Sequence, residues 1–328
     1  SSDVYAVGAY GNLLHWDGLA WRESYVGAQG DYFAIWGSGT DSVFVGGEGL
    51  SSLLHFDGET WTEQLNPSGL PVRALWGGAE SDVYAAGGRY WSGTYSGALM
   101  HFNGTDWSVL RDDFGVVLTA LWGSGPGDLF VGGESGSLWH FNGTDYTPLT
   151  GATGTITALA GDGPTDDVFV FDEAGNWYRY DRTGTSLTLE GQLSGAKSAW
   201  GSPLGDLYVA DGSASLQHWE GGGWTTEALP ATASTYSLDA LWGASDGTLF
   251  VGGWGTGGWD SAGLLRRVGG TWNDDSRSFA TEEFRDVWAA SPSLAYAVGD
   301  SGLIARWDGQ SWTRLDLGTT DSLYGVWG

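Results

Sequence analysis

The stretch Leu121-Trp122-Gly123-Ser124-Gly125-Pro126-Gly127-Asp128-Leu129-Phe130-Val131-Gly132 decides the fold. It alternates apolar and small residues up to Trp122-Gly123, breaks at a Gly/Ser/Pro/Asp turn, and resumes as a β-branched and aromatic run. A third run, Leu138-Trp139-His140-Phe141, ends at Asn142-Gly143, and a fourth opens at Tyr146. Four short strands, here called A to D, therefore fit into one unit. No window of the chain keeps a helical period for three turns.

The Trp-Gly phrase recurs at Trp36, Trp76, Trp122, Trp200, Trp242 and Trp327, with worn copies at Ala160-Gly161 and Trp288-Ala289. Successive copies stand 40, 46, 38, 40, 42, 46 and 39 residues apart, and 37 more lead from Trp327 around the termini to Trp36. Eight units of about forty residues are the pattern of a β-propeller. The chain begins in strand B (Asp3-Val4-Tyr5-Ala6-Val7-Gly8) and ends in strand A (Tyr324-Gly325-Val326-Trp327). One blade must then be shared between the termini, which leaves no open sheet edge there. The reading is an all-β, eight-bladed β-propeller of four-stranded antiparallel blades, a single domain over residues 1–328. Pairs such as Asp17-Gly18, Asp57-Gly58, Asn103-Gly104, Asn142-Gly143 and Asp308-Gly309 predict two-residue type I′ hairpins between strands C and D.

Composition narrows the function. Fifty-seven glycines and 21 tryptophans in 328 residues exclude collagen, linkers and disorder, because so many rings demand a packed interior. A formal net charge of −27 opposes nucleic-acid phosphates and anionic lipid heads. The absence of cysteine removes disulfides, thiol nucleophiles and thiolate metal sites. No apolar run is long enough to span a bilayer. The first twenty residues lack a basic n-region, so a secreted or surface location implies a signal or anchor removed from this chain.

The phrase Asp-Val-Tyr-Ala-Val-Gly at residues 3–8, followed by His15-Trp16-Asp17-Gly18 and Trp21, resembles repeats of secreted bacterial propeller proteins. It is similar to the BNR/Asp-box and Ycf48-like propellers, with which it shares an Ala-Val-Gly, Asp-Gly, Trp cadence over all eight units. That resemblance implies architecture. The families it touches include sialidases, lectins and assembly factors, so it implies no single activity. The Asp-box places Asp-x-Gly before its Trp, whereas Asp308 and Gly309 are adjacent here, and no sialidase residue is carried over.

Candidate sites are weighed by whether they follow the repeat. His15, His55, His101, His140 and His218 share one strand C position, taken by Arg179, Arg267 and Arg306 in the remaining blades. A position used eight times is scaffold, expected to bond a neighbouring blade or turn. The strand A tryptophans are inter-blade core by the same logic. Acidic turns at Asp3, Asp41, Asp82, Asp128, Asp167 and Asp206 would suit calcium, but the Asp-x-Asp-x-Asp spacing of a loop site is missing, and no cofactor is expected. No Gly-x-Ser-x-Gly elbow, P-loop or His-Glu-x-x-His occurs.

Two features break the repeat. From the end of strand B to the strand C His/Arg is ordinarily 7 to 9 residues, but 14 in the third blade (Gly87 to His101) and 15 in the seventh (Gly252 to Arg267). These inserts carry Tyr90, Trp91 and Tyr95, and Trp254 and Trp259, among Gly, Ser and Thr. Such a mixture reads as an exposed contact loop, with rigid rings and adaptable hydrogen bonding. Three residues before the strand A tryptophan, the chain places Arg73, Lys197 and Arg285, expected near the channel mouth and suited to a carboxylate or sulfate. The leading expectation is a non-enzymatic propeller that recognises a glycan or a partner protein through these residues. The alternatives are a glycoside hydrolase or lyase at the channel mouth, and an assembly scaffold.

Overall fold

The computed structural model describes the chain except residues 1–2, 25–29, 50–51, 162–166, 183, 194, 202–205, 221–222, 245, 257–261, 280–281 and 316–318. Its fold is an eight-bladed β-propeller of four-stranded antiparallel sheets. The first blade joins both chain ends: Val4–Gly8, Leu13–Trp16 and Trp21–Glu23 are completed by Leu323–Trp327, with Tyr5 opposite Trp327 and Ala6 opposite Val326. The described chain forms two compact units of four blades each. One comprises residues 25–193; the other comprises residues 1–24 and 194–328. Among the described residues no helix is long and apolar enough to cross a membrane.

The Trp-Gly phrase has a direct steric reason. A Cβ on Gly77 would lie 2.5 Å from Cη2 of Trp36, one blade earlier, and a Cβ on Gly123 would lie 2.9 Å from Cη2 of Trp76. Gly161 meets Trp122, Gly243 meets Trp200 and Gly328 meets Trp288 in the same way. Where Ala289 replaces the glycine, the indole N–H of Trp242 donates to its carbonyl at 3.1 Å instead. Each of these indoles thus lies over the backbone of the next strand A, and glycine there leaves room for the ring. Around this interlock, side chains from adjacent blades close common cores, such as Phe44, Val83, Met100 and Phe102 between the second and third blades.

Strand C and strand B are joined by a repeated stack. His15, His55, His101, His140 and His218 lie on Tyr5, Phe44, Tyr84, Phe130 and Tyr208, with centroids 4.1–4.5 Å apart. Four of the five imidazoles bond the Asp that opens strand B of their own blade: Asp3, Asp82, Asp128 and Asp206. Of the two expected partners, a neighbouring blade or a turn, it is the turn of the same blade, because cross-strand pairing already brings the two ends together.

Three expectations need correction. The C–D turns are four-residue loops, since Trp16 pairs with Trp21, Phe56 with Trp61 and Phe102 with Trp107. Their first residue is a cap: Asp17 Oδ1 accepts the N–H groups of Leu19 and Ala20, and Asn103 Oδ1 those of Thr105 and Asp106. An Asx side chain that mimics a turn replaces the type I′ geometry; Gly269-Gly270, both at positive φ, is the two-residue exception. In the seventh blade the histidine-equivalent position belongs to Arg266, which pairs across from Phe250, and not to Arg267. Finally, the third-blade insert is not a loop, and the seventh-blade insert is strand as far as Gly255, with residues 257–261 outside the described residues. Asp82–Trp91 and Thr94–Phe102 form one long hairpin turned at Ser92-Gly93, and Leu249–Gly255 and Ala262–Val268 extend the seventh blade likewise. Ser92 and Gly93 both adopt positive φ, as a type I′ turn requires.

Candidate functional site

Within the unit of residues 25–193, a cavity of about 890 Å³ is lined by residues of three successive blades. The third blade contributes Arg73 from the start of its strand A and Arg89, Tyr90 and Trp91 from the lengthened hairpin; Glu48 and Glu134 come from the flanking blades. Gly87 pairs with Val72, so the hairpin rises from the same end of the sheet at which Arg73 stands. Period-2 alternation then sorts the hairpin. Tyr90 is opposite Tyr95, and Trp91 opposite Thr94. Tyr90 and Tyr95 pack at 4.6 Å between centroids, whereas Trp91 is 73% exposed, the most exposed aromatic of the insert.

The two arginines differ from eight of the other ten; Arg277 and Arg306 also make no ion pair among the described residues, Arg306 donating instead to the Tyr296 hydroxyl. Arg22, Arg111, Arg179, Arg182, Arg266, Arg267, Arg285 and Arg314 all make ion pairs. Among the described residues Arg73 and Arg89 make none; Arg73 lies 5.2 Å from the ring centroid of Phe33, a cation–π contact. In a chain with 40 carboxylates, two guanidinium groups left without one in the same cavity are conspicuous. They present donors suited to a planar anion.

The other expected site residues fare differently. Arg285 is clamped by Asp300, through Nε at 3.0 Å and Nη2 at 2.7 Å, and by Glu283 at 2.9 Å. Its partners hold it charged. Lys197 is exposed, in the unit that also holds Arg285. Trp254, expected on an exposed loop, is half-buried within a strand and donates its indole N–H to Asp239 Oδ2 at 2.9 Å. The insert lengthens the sheet, so Trp254 belongs to a strand and its indole N–H meets a carboxylate. Trp259 lies outside the described residues. Arg89, Glu48 and Glu134 were not singled out from the sequence; the signal for Arg89 was its place inside the insert. Among the described residues no group of three His, Asp or Glu is arranged to hold a metal ion.

No protein-family model matches the chain, and no curated protein does. Solved structures are similar in fold. The computationally designed Ika8 protein aligns with a TM-score of 0.64 at 14% identity, over 99% of this chain and 93% of its own. Ycf48 bound to D1 peptide aligns at 0.57 and 15% identity, over 77% of this chain and 83% of its own. Virginiamycin B lyase from Staphylococcus aureus aligns at 0.59 and 10% identity, over 90% and 94%. At these identities the likeness is one of fold, which hosts both a peptide-bound protein and a lyase.

Proposed function

We propose that this chain is a binding propeller, not an enzyme, and that its ligand is a protein segment carrying a carboxylate beside an apolar or aromatic group. The observation that carries this is the cavity of the third blade, where exposed Trp91 and Tyr90 stand beside the unpaired Arg73 and Arg89. Rings supply contact area at little entropic cost, and guanidinium groups fix the orientation of an anion. A peptide in complex with Ycf48 is compatible with a propeller of this kind used for protein recognition. A glycan bearing a uronic or other acid is the second reading, favoured by the 73% exposure of Trp91, whose free ring face could stack on a sugar.

Arrays of acidic peptides and of acidic glycans, probed with the purified protein, separate the two readings. Capture on the peptide array that is lost with Arg73→Ala supports the first; capture on glycans alone replaces it with the second. Cleavage or elimination of an array compound, abolished by Glu48→Gln or Glu134→Gln, would overturn the non-enzymatic reading.

A further inference from the structure

At the opposite end of the blades from that cavity, the fourth and fifth blades show how this fold holds a guanidinium group. Phe130, His140 and Tyr180 form a frame of three rings, with Phe130 to His140 at 4.5 Å, Phe130 to Tyr180 at 5.7 Å and His140 to Tyr180 at 6.1 Å. Arg182, from the C–D turn of the fifth blade, lays its guanidinium 5.4 Å from the Phe130 centroid and bonds Asp128 Oδ2 at 2.7 Å. The sixth and seventh blades do something similar, with Arg267 5.6 Å from the Tyr208 centroid and bonded to its hydroxyl at 3.1 Å.

The second and third blades carry the same frame. Phe44, His55 and Phe102 stand at 4.1, 5.1 and 5.6 Å in the corresponding pairs. Here the position of Arg182 is Gly104, and the position of Asp128 is Ser42, whose hydroxyl lies 3.4 Å from His55 Nε2. The frame consequently opens into a cavity of about 230 Å³, lined by His55, Phe102 and Gly104 and by the carboxylates of Asp41, Asp57 and Glu80. Asp57 spends Oδ1 on the amides of Glu59 and Thr60. Those bonds, Thr60 foremost, hold its carboxyl below the usual range, so it is ionised at neutral pH. Burial lowers the pKa of His55 despite the pull of Asp57 and Glu80, which leaves the imidazole neutral. Among the described residues no cation is ion-paired with Asp41, Asp57 or Glu80.

We infer that this cavity receives the guanidinium of an arginine side chain from another protein, in the place that Arg182 fills two blades on. The rings of His55 and Phe102 and the carboxylates of Asp41, Asp57 and Glu80 in the lining offer what such a group requires: cation–π contact and charge-assisted hydrogen bonds. This site shares no residue with the cavity of the third blade, and neither proposal depends on the other.

The test uses the full chain and N-acetyl-L-arginine amide, followed by NMR of the histidine ring protons. A saturable shift of the His55 signals is expected, with those of His140 unmoved because Arg182 already occupies its frame. The citrulline analogue, equal in shape but uncharged, should bind at least about fivefold more weakly. The variant Asp41→Asn/Asp57→Asn/Glu80→Gln should weaken arginine binding at least about tenfold. Asn at position 57 keeps the turn, as Asn103 and Asn142 do in the next two blades. No saturable shift of His55, an equal response to citrulline, or unchanged affinity in the triple variant would each overturn the assignment.

Discussion

Replacing Gly77 by Ala tests the interlock on which the blade order depends. The new Cβ would stand 2.5, 2.7 and 2.8 Å from Cη2, Cζ2 and Cζ3 of Trp36. Carbon atoms prefer about 3.5–4.0 Å, so the indole has to retreat by about 1 Å. Trp36 packs on the core of Phe44, Val72 and Val83, which resists that movement. Overpacking of this kind costs about 1–3 kcal/mol, against a gain of about 0.4–1 kcal/mol from the stiffer unfolded chain. The net expectation is a loss of about 1–2 kcal/mol, a fall of roughly 1.5–3 °C in melting temperature for a chain of 328 residues. Gly125→Ala is the control, since nothing lies within 4 Å of its Cβ and its φ is not positive; it should be neutral or slightly stabilising. Melting curves followed by tryptophan fluorescence, with Gly77→Ala repeated in a Trp36→Leu background, read out the coupling. If Gly77→Ala melts like Gly125→Ala, or costs as much without the indole as with it, the steric account is wrong.

Removal of residues 323–328 takes away the strand that completes the first blade, including buried Leu323 and Val326, and should lower the melting temperature by more than about 10 °C; an unchanged melting curve would contradict closure by a shared blade. Trp254→Ala should cost roughly 1–3 kcal/mol, because its ring is half-buried and its N–H is bonded to Asp239, while Trp91→Ala should leave stability within about 0.5 kcal/mol. Paired melting curves check that order. Asp286 stands where Ala34, Ala74, Ala120 and Ala240 stand in other blades, and its carboxylate accepts the N–H groups of Val287 and of Val326 in the shared blade. Burial pushes its pKa up to about 7 in spite of those bonds. The folded state therefore holds a proton that the unfolded chain has released. From this group alone, stability should fall by up to about 1.4 kcal/mol per pH unit as pH rises from about 4 to 7. Asp286→Ala should flatten that decline in urea unfolding across the range; a decline of the same slope in the variant would refute the role of Asp286.

The blades were legible in the sequence because their signals are local and repeated. Trp-Gly, the Asp before strand B and the Asx-Gly turn each recur with one structural meaning. The errors arose where a side chain outside the repeat pattern decided the geometry. Asp17 and Asn103 cap their turns, so Asx-Gly marked a hairpin but not its type. The adjacent Arg266 and Arg267 gave no sequence clue to which one continued the histidine position, and only pairing with Phe250 settles it. The inserts were read as loops because Gly and Ser obscure the alternation that keeps Tyr90 and Tyr95 together. Trp254 was misplaced for the same reason. The cavity of the third blade was half legible: Arg73, Tyr90 and Trp91 were expected together, but Glu48 and Glu134 join them only through the packing of neighbouring blades. The pocket beside His55 is a still weaker signal, one Ser and one Gly among repeats that vary at both positions.

The central claim is that Trp91, Arg73 and Arg89 form one recognition surface. Its most direct test is the dissociation constant of the array-selected peptide for Trp91→Ala, Arg73→Ala and Arg89→Ala, measured beside the melting temperature of each variant. The account predicts that each substitution costs about 1–3 kcal/mol of binding, roughly five- to 150-fold, with melting unchanged. Affinity that survives all three substitutions in folded protein would contradict it.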